Sequence, residues 1–230
     1  MTRSGDGSFT LYSQAYGEHY HSVREGALIE SLEKHVRPAL RFSSALKKPV
    51  IRVLDICFGL GYNTLCTLYE LDRLGYRGRV EIEGPEKDET LLERLYSLPY
   101  PQPLLPFLSV ISAVSRGQNY EGDRVSVRVF RGDAVWFVKT APGPFDLIYQ
   151  DPFSSKKNPE LWDENFFGEL YRLLSSDGVL TTYSQSKGVR RTMQAAGFVL
   201  HEHPFDPASG LRPGTLGAKK PIKELACLQV

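Results

Sequence analysis

From Val50 onward, short apolar runs alternate with longer amphipathic stretches. This rhythm predicts strands near residues 50–56, 79–83, 125–130, 145–150, 178–183, 198–203 and 224–230. The stretches between them predict helices near 62–75, 88–97, 103–116, 133–139, 159–175 and 187–196. Strands separated by helical patterns imply βαβ units and a largely parallel sheet. The last two strands are joined by a loop, Asp206 to Lys220, instead of a helix. The seventh strand is therefore expected to run antiparallel, since parallel neighbours need a crossover. Upstream, Phe9–Tyr12 suits a short strand. Leu28, Leu32, Val36 and Leu40 recur every four residues and predict a helix from Ser22, with Ser22 and Glu25 spaced as a capping box. Residues 1–48 are expected to form an extension packed on a core domain spanning 49–230.

Composition narrows the picture. The 230 residues, 41% of them hydrophobic, suit one α/β domain with some decoration. The formal charge of +1 makes no strong case for a polyanionic partner. Between Lys187 and Lys223, however, seven basic residues face two acidic ones. That local excess suits phosphate contact or a solvated basic face. Three cysteines without a CxxC pair point to free thiols and away from a disulfide framework or a zinc site. No signal peptide and no bilayer-length apolar run is present, so a soluble, cytoplasmic protein is expected.

Candidate chemistry gathers at strand ends. Val53-Leu54-Asp55-Ile56-Cys57-Phe58-Gly59-Leu60-Gly61-Tyr62-Asn63 reads as a strand, an acid, a glycine turn and a helix start. Such turns let the backbone approach a nucleotide-sized cofactor. Cys57 stands where a first glycine is usual. Asp55 is placed to accept from a cofactor ammonium, with Gly59 and Gly61 against its sugar or sulfonium region. After the second strand, Glu86 is the preferred acceptor of two ribose hydroxyls, with Glu83 as competitor because Gly84-Pro85 marks the strand end. After the third strand, Asp133 can accept from an adenine amine or N-cap the next helix, and the ligand role is preferred. The fourth strand ends in Asp151-Pro152-Phe153. There Asp151 can orient an amine, the Pro152 carbonyl can supply a second acceptor, and Phe153 can stack on a planar base. These features suggest transfer of a methyl group from S-adenosylmethionine to an amino nitrogen. Seven strands with an antiparallel last one fit a Rossmann-like, class I S-adenosylmethionine-dependent methyltransferase with a short N-terminal strand/helix extension. His19-Tyr20-His21 lacks the further ligands a metal site needs.

Three blocks together resemble the methyltransferase domain of the bifunctional MnmC-type enzymes. The first is Asp6-Gly7-Ser8-Phe9-Thr10-Leu11-Tyr12 with Glu18, His21-Ser22, Gly26-Ala27 and Glu30-Ser31. The second is Gly59-Leu60-Gly61-Tyr62-Asn63. The third runs from Asp151-Pro152-Phe153-Ser154 through Lys157-Asn158-Pro159-Glu160-Leu161-Trp162, backed by Ser184, Val189-Arg190-Arg191 and Gly197-Phe198. The resemblance implies N-methylation of the 5-aminomethyl group of a wobble (2-thio)uridine in tRNA. It is to stand-alone versions without the FAD-dependent oxidase domain, so S-adenosylmethionine is expected, and neither FAD nor a metal. By position it makes Asp151 the catalytic acid, flanked by Pro152 and Phe153, and Glu86-Lys87 the ribose site. Phe58 and Asn63 join the cofactor site. His21, Lys156, Lys157, Arg190 and Arg191 are expected to face the substrate or the anticodon stem-loop, in a monomer without membrane contact. Competing readings are an aminopropyltransferase, a small-molecule amine methyltransferase, and a non-catalytic RNA-binding module. The lysines beside Asp151 disfavour a polycationic substrate.

Overall fold

A computed structural model describes residues 1–203 and 211–229. Its centre is an eight-stranded sheet. In chain order, the first four strands are short: β1 (Thr2–Arg3), β2 (Phe9–Thr10), β3 (Tyr12–Ser13) and β4 (Glu18–His19) form two small antiparallel pairs outside it. The large sheet comprises β5 (Val50–Ile56), β6 (Arg79–Glu86), β7 (Tyr120–Glu121), β8 (Val125–Arg131), β9 (Phe145–Gln150), β10 (Leu174–Thr182), β11 (Val199–Glu202) and β12 (Thr215–Ala218). Their spatial order is β11-β12-β10-β9-β5-β6-β8-β7. Strands β8, β6, β5, β9 and β10 are mutually parallel, and β12 lies antiparallel between β10 and β11. Chain order reverses at β5, from which β6 and β9 depart to opposite sides. The crevice beyond its C-terminal end is thus the topological switch point, where open α/β sheets bind ligands.

Helices cover both faces. On one side pack α1 (Ala27–Glu30), the π-helical stretch Ser31–Val36 and α2 (Arg37–Phe42), which run continuously, together with α3 (Tyr62–Arg73), α4 (Glu89–Arg94) and α5 (Leu108–Ser115). On the other side lie α6 (Ala134–Thr140), α7 (Glu164–Leu173) and α8 (Lys187–Ala195). All six residues of β9 are buried, as expected of a parallel strand covered on both faces.

Three sequence expectations change. The antiparallel strand exists, but it is β12 at Thr215–Ala218, within the segment read as a loop. Of the strand expected at 224–230, the described residues keep one bridge, His201 to Cys227. Gly214 and Gly217 looked like loop residues, yet the packing needs them. A Cβ on Gly214 would sit 2.4 Å from the Thr182 carbonyl oxygen, and one on Gly217 would sit 2.9 Å from the Phe198 ring. Part of the connection from Asp206 to Lys220, and Val230, lie outside the described residues. Strand β6 continues through Gly84-Pro85 to Glu86, so that dipeptide does not end it. The first helix starts at Ala27, not Ser22. The Ser22 hydroxyl does accept from the Glu25 N–H (3.1 Å), but Glu30, not Glu25, takes the Ser22 N–H (2.8 Å). Pro38 explains why the middle of this helix is wide. It has no N–H for the carbonyl of Lys34, and its ring would crowd that oxygen in a regular turn, which the π-helical register relieves.

Candidate active site

The switch-point crevice holds a cavity of about 400 Å³, within the range of small-molecule sites. Its floor is the turn after β5. Cys57 has φ +63°, a left-handed conformation rare for a side chain, and Gly59 and Gly61 follow at +54° and +75°. Cys57 therefore does take the backbone shape of the glycine it replaces. Burial, reinforced by the Glu86, Asp151 and Asp55 carboxylates, raises its thiol well above the usual value, so it stays protonated. The turn is tied to β6 twice: Phe58 N–H donates to the Pro85 carbonyl (3.1 Å), and Gly59 N–H donates to Glu86 Oε2 (2.9 Å).

Of the two acids weighed after the second strand, Glu86 lines the cavity and Glu83 does not. Glu83 lies 3.5 Å from the Arg52 guanidinium. Burial raises the Glu86 carboxyl, although its Oε1 and Oε2 accept from Asp88 N–H and Gly59 N–H. Lys87 lines the same wall. Of the two roles weighed for Asp133, the structure shows the cap: Oδ1 accepts from Val135 N–H (2.7 Å) and Trp136 N–H (3.2 Å) of α6, and the exposed residue also lines the cavity. One oxygen caps, and the other has no hydrogen-bond partner within the described protein.

Asp55 does not line the cavity. It is fully buried behind Asn63 and Thr64 in the first turn of α3. Its Oδ1 lies 3.4 Å from Asn63 Nδ2, and Oδ2 accepts from the Thr64 hydroxyl at 2.8 Å. Burial pushes its carboxyl up to about 7. Asn63 stands in front instead: Nδ2 donates to Asp151 Oδ2 (2.9 Å), and Oδ1 is buried with no partner. Gly61 also lies off the cavity. It N-caps α3, where a Cβ would meet Ile111 at 2.8 Å.

Asp151, Phe153 and His21 line this cavity and also a second one beside it, together with Glu18, Glu30, Pro152 and Tyr183. The carboxylate thus forms a wall between two spaces. The corner is braced from behind: Tyr183 hydroxyl donates to the Pro152 carbonyl (3.0 Å), and Trp162 Nε1 donates to that of Phe153 (2.8 Å). The Pro152 carbonyl, expected as a second acceptor for an amine N–H, takes the Tyr183 hydroxyl on one of its two lone pairs. His21 Nδ1 lies 3.6 Å from Glu30 Oε2. Burial would depress the His21 imidazole, but the Glu30 and Asp151 carboxylates outweigh it and hold it above the usual value.

Sequence reasoning missed the roof. The β3–β4 hairpin folds over the corner, with Tyr16 stacked on Phe153 (4.4 Å between centroids, 23°) and Tyr20 packed at 4.9 Å. Glu18 anchors it by accepting from Ser154 N–H (3.0 Å) and Ser154 hydroxyl (2.5 Å). The signal was present as Glu18 and His21 in the first block of resemblance. His35 was also missed. Among the basic residues, Lys156, Lys157 and Arg191 are exposed and line neither cavity. Arg190 is used within the fold: its Nε donates to Thr215 (2.9 Å), and Glu202 lies 3.7 Å away. Among the described residues no group of three His, Cys, Asp or Glu is placed to hold a metal. No helix of the described residues is long and apolar enough to cross a membrane.

A parallel sheet with its cavity at the switch point and a glycine-type turn beneath it defines a nucleotide-cofactor enzyme of the α/β class. A family model described as S-adenosyl-L-methionine-dependent methyltransferase matches residues 102–220, and the chain belongs to that family. Within it the chain is of the MnmC type. It superposes on MNMC2 from Aquifex aeolicus with TM-score 0.85 and 35% identity, covering 97% of this chain and 72% of that one. It is 30% identical over 84% of its length to the tRNA 5-methylaminomethyl-2-thiouridine biosynthesis bifunctional protein MnmC of Pseudomonas aeruginosa. It is also 30% identical over 88% of its length to an uncharacterized protein of Methanocaldococcus jannaschii. The chain spans 31% of the former and 55% of the latter.

Proposed function

We propose that this protein transfers the methyl group of S-adenosylmethionine to the primary amine of 5-aminomethyl-(2-thio)uridine at the wobble position of tRNA. The observation that carries this reading is Asp151 on the wall shared by two neighbouring cavities of about 400 and 430 Å³, one assigned here to the cofactor and the other to the acceptor. S-adenosylmethionine supplies an electrophilic sulfonium methyl. Glu86 would accept from the ribose hydroxyls, the unpaired oxygen of Asp133 from the adenine amine, and Asn63 Oδ1 from the ammonium. This moves the last role from Asp55 to the residue in front of it. The buried, unpartnered Asn63 oxygen supports that fit.

Methyl transfer to nitrogen asks little covalent help from a protein. It asks for alignment and for a free lone pair. Asp151 takes a proton from the substrate ammonium and orients the neutral amine. Phe153 and Tyr16 wall the reacting centre and keep water from it. The MnmC name of the relatives supports a tRNA substrate presented as its anticodon stem-loop, and a cytoplasmic setting follows from that substrate. The exposed Lys156, Lys157 and Arg191 suit phosphate contact. The test is methyl transfer to tRNA whose wobble uridine ends at the aminomethyl stage, followed by nucleoside mass spectrometry. A 5-methylaminomethyl product is expected. Cofactor binding without that product would overturn the substrate reading and leave the family intact.

A further inference from the structure

His35 lies on the π-helical stretch of the N-terminal helix, fully buried against the sheet. One ring nitrogen is engaged: Nδ1 lies 3.1 Å from the hydroxyl of Thr181, itself fully buried on β10. The other, Nε2, has no formed hydrogen bond within the described protein and lies 3.5 Å from Asp151 Oδ1. The ring also meets Tyr149 edge-on, with centroids 6.0 Å apart. A buried ring nitrogen without a partner is uncommon, and long contacts are characteristic of catalytic pairs before substrate binds.

We propose that His35 is the positioning residue for Asp151, with Thr181 fixing its tautomer. This rests on the reading of Asp151 as the group that receives the amine proton. An ionised carboxylate only accepts, so Nε2 must carry the hydrogen that faces it. Nδ1 is then an acceptor, and the Thr181 hydroxyl donates to it. Asn63 Nδ2 donates to Oδ2 and His35 Nε2 faces Oδ1, so the carboxylate is held from two sides. Asp151 lines both cavities. In the reaction an N–H bond of the substrate ammonium breaks and its proton passes to Asp151. The amine lone pair forms the N–C bond as the S–C bond breaks, leaving a neutral thioether. The product keeps the positive charge as a secondary ammonium, and Asp151 then releases its proton to solvent. His35 itself gains and loses nothing.

The test pairs kinetics with spectroscopy. Thr181→Val removes the hydroxyl at nearly constant shape, and Thr181→Ser keeps it. Thr181→Val should lower kcat about tenfold with cofactor Kd unchanged, and Thr181→Ser should restore most of the rate. His35→Leu should lower kcat by about 100-fold, the scale of a misplaced catalytic group. Equal rates for the Val and Ser variants, or a wild-type rate in His35→Leu, would overturn the proposal. Nitrogen-15 spectra of the histidines provide a substrate-free reading, with His35→Gln, which also covers a Leu variant that fails to fold, assigning the signal. An Nε2–H tautomer with unprotonated Nδ1 supports the proposal, and a proton on Nδ1 refutes it. If the wild type leaves aminomethyl tRNA untouched, the substrate reading falls while the tautomer still decides the role of His35.

Discussion

The two ends of the parallel sheet treat their polar groups in opposite ways. At the end where the strands start, Asp146 accepts from Lys48 Nζ (2.6 Å) and from Arg52 N–H (2.9 Å), with Ser175 3.3 Å away. Asp177 joins the same network through Lys48, Ser44 and Ser175, whose hydrogen bonds, with the Lys48 charge, hold its carboxyl down to about 2. Every group there has an internal partner. At the other end, beyond β5 and β9, His21 Nδ1, His35 Nε2, Asn63 Oδ1 and Gln150 Oε1 are buried without formed hydrogen bonds. There Asp55 is kept in a burial that raises its carboxyl, and Cys57 in a left-handed turn. One end spends its hydrogen-bonding capacity on stability. The other leaves it unpaired at the candidate site, a pattern that folded proteins tolerate where ligands bind.

Substitutions on either side should separate these roles. The largest effect is expected from Asp151→Asn, which keeps the shape and removes the base. Methyl transfer to aminomethyl tRNA should fall by about 10²–10⁴-fold, the usual contribution of a general base, with cofactor affinity changed by less than about twofold. A near-wild-type rate would remove Asp151 from the chemistry.

Asp55 tests whether the site end costs stability. Its folded carboxyl titrates near 7 and its unfolded one near 3.8. Between those values the folded state holds the extra proton, so this group's contribution to stability falls as pH rises from about 4 to 7 and is flat above. In cofactor-free protein Asp55→Asn should therefore be more stable than wild type at pH 8, on the order of 4 kcal/mol, and nearly equal at pH 4. Urea titrations at both pH values check this, and a pH-independent difference would contradict it. At the opposite end the sign should reverse. Asp146→Ala strands the Arg52 N–H and leaves Lys48 with Asp177 alone, and should cost about 1–3 kcal/mol with kcat unchanged. Glu86→Gln should weaken cofactor binding about tenfold by calorimetry and cost about 1 kcal/mol of stability, since the amide oxygen still accepts from Gly59 but the amide nitrogen cannot accept from Asp88 N–H. If Glu83→Gln gave that loss instead, the ribose role would move to Glu83.

Legibility in the sequence followed the same division. Strands β5 and β9 were readable to the residue, because each is a bounded apolar run buried on both faces. That the glycine turn, Glu86 and the Asp151 corner meet at one cavity was legible because such sheets form their crevice beyond the strand ends. Strand β12 was hidden, since its glycines serve close packing but read as loop. The hairpin roof was hidden for another reason: Tyr16 reaches Phe153 across 137 positions of chain, and no local pattern encodes that. Asn63 in front of Asp55, and His35 behind Asp151, likewise depend on how helix turns are aimed at strand ends. Pro38 marked the wide turn, but periodicity alone drew a regular helix through it.

Cys57→Gly is the smallest and most discriminating change. The left-handed backbone costs a side-chain-bearing residue about 1–2 kcal/mol, and glycine adopts it freely. Glycine also makes the unfolded chain more flexible, which returns about 0.4–1 kcal/mol of that gain. The variant should therefore be more stable by about 1 kcal/mol or less, read as a shift of a few degrees in Tm. Cofactor affinity should hold or rise, because removing the side chain widens the floor of the cavity without moving Gly59 or Glu86. A clear loss of affinity would instead assign the Cys57 side chain a contact with the cofactor. The departure from the glycine pattern would then be part of the site, and not a strain that the site tolerates.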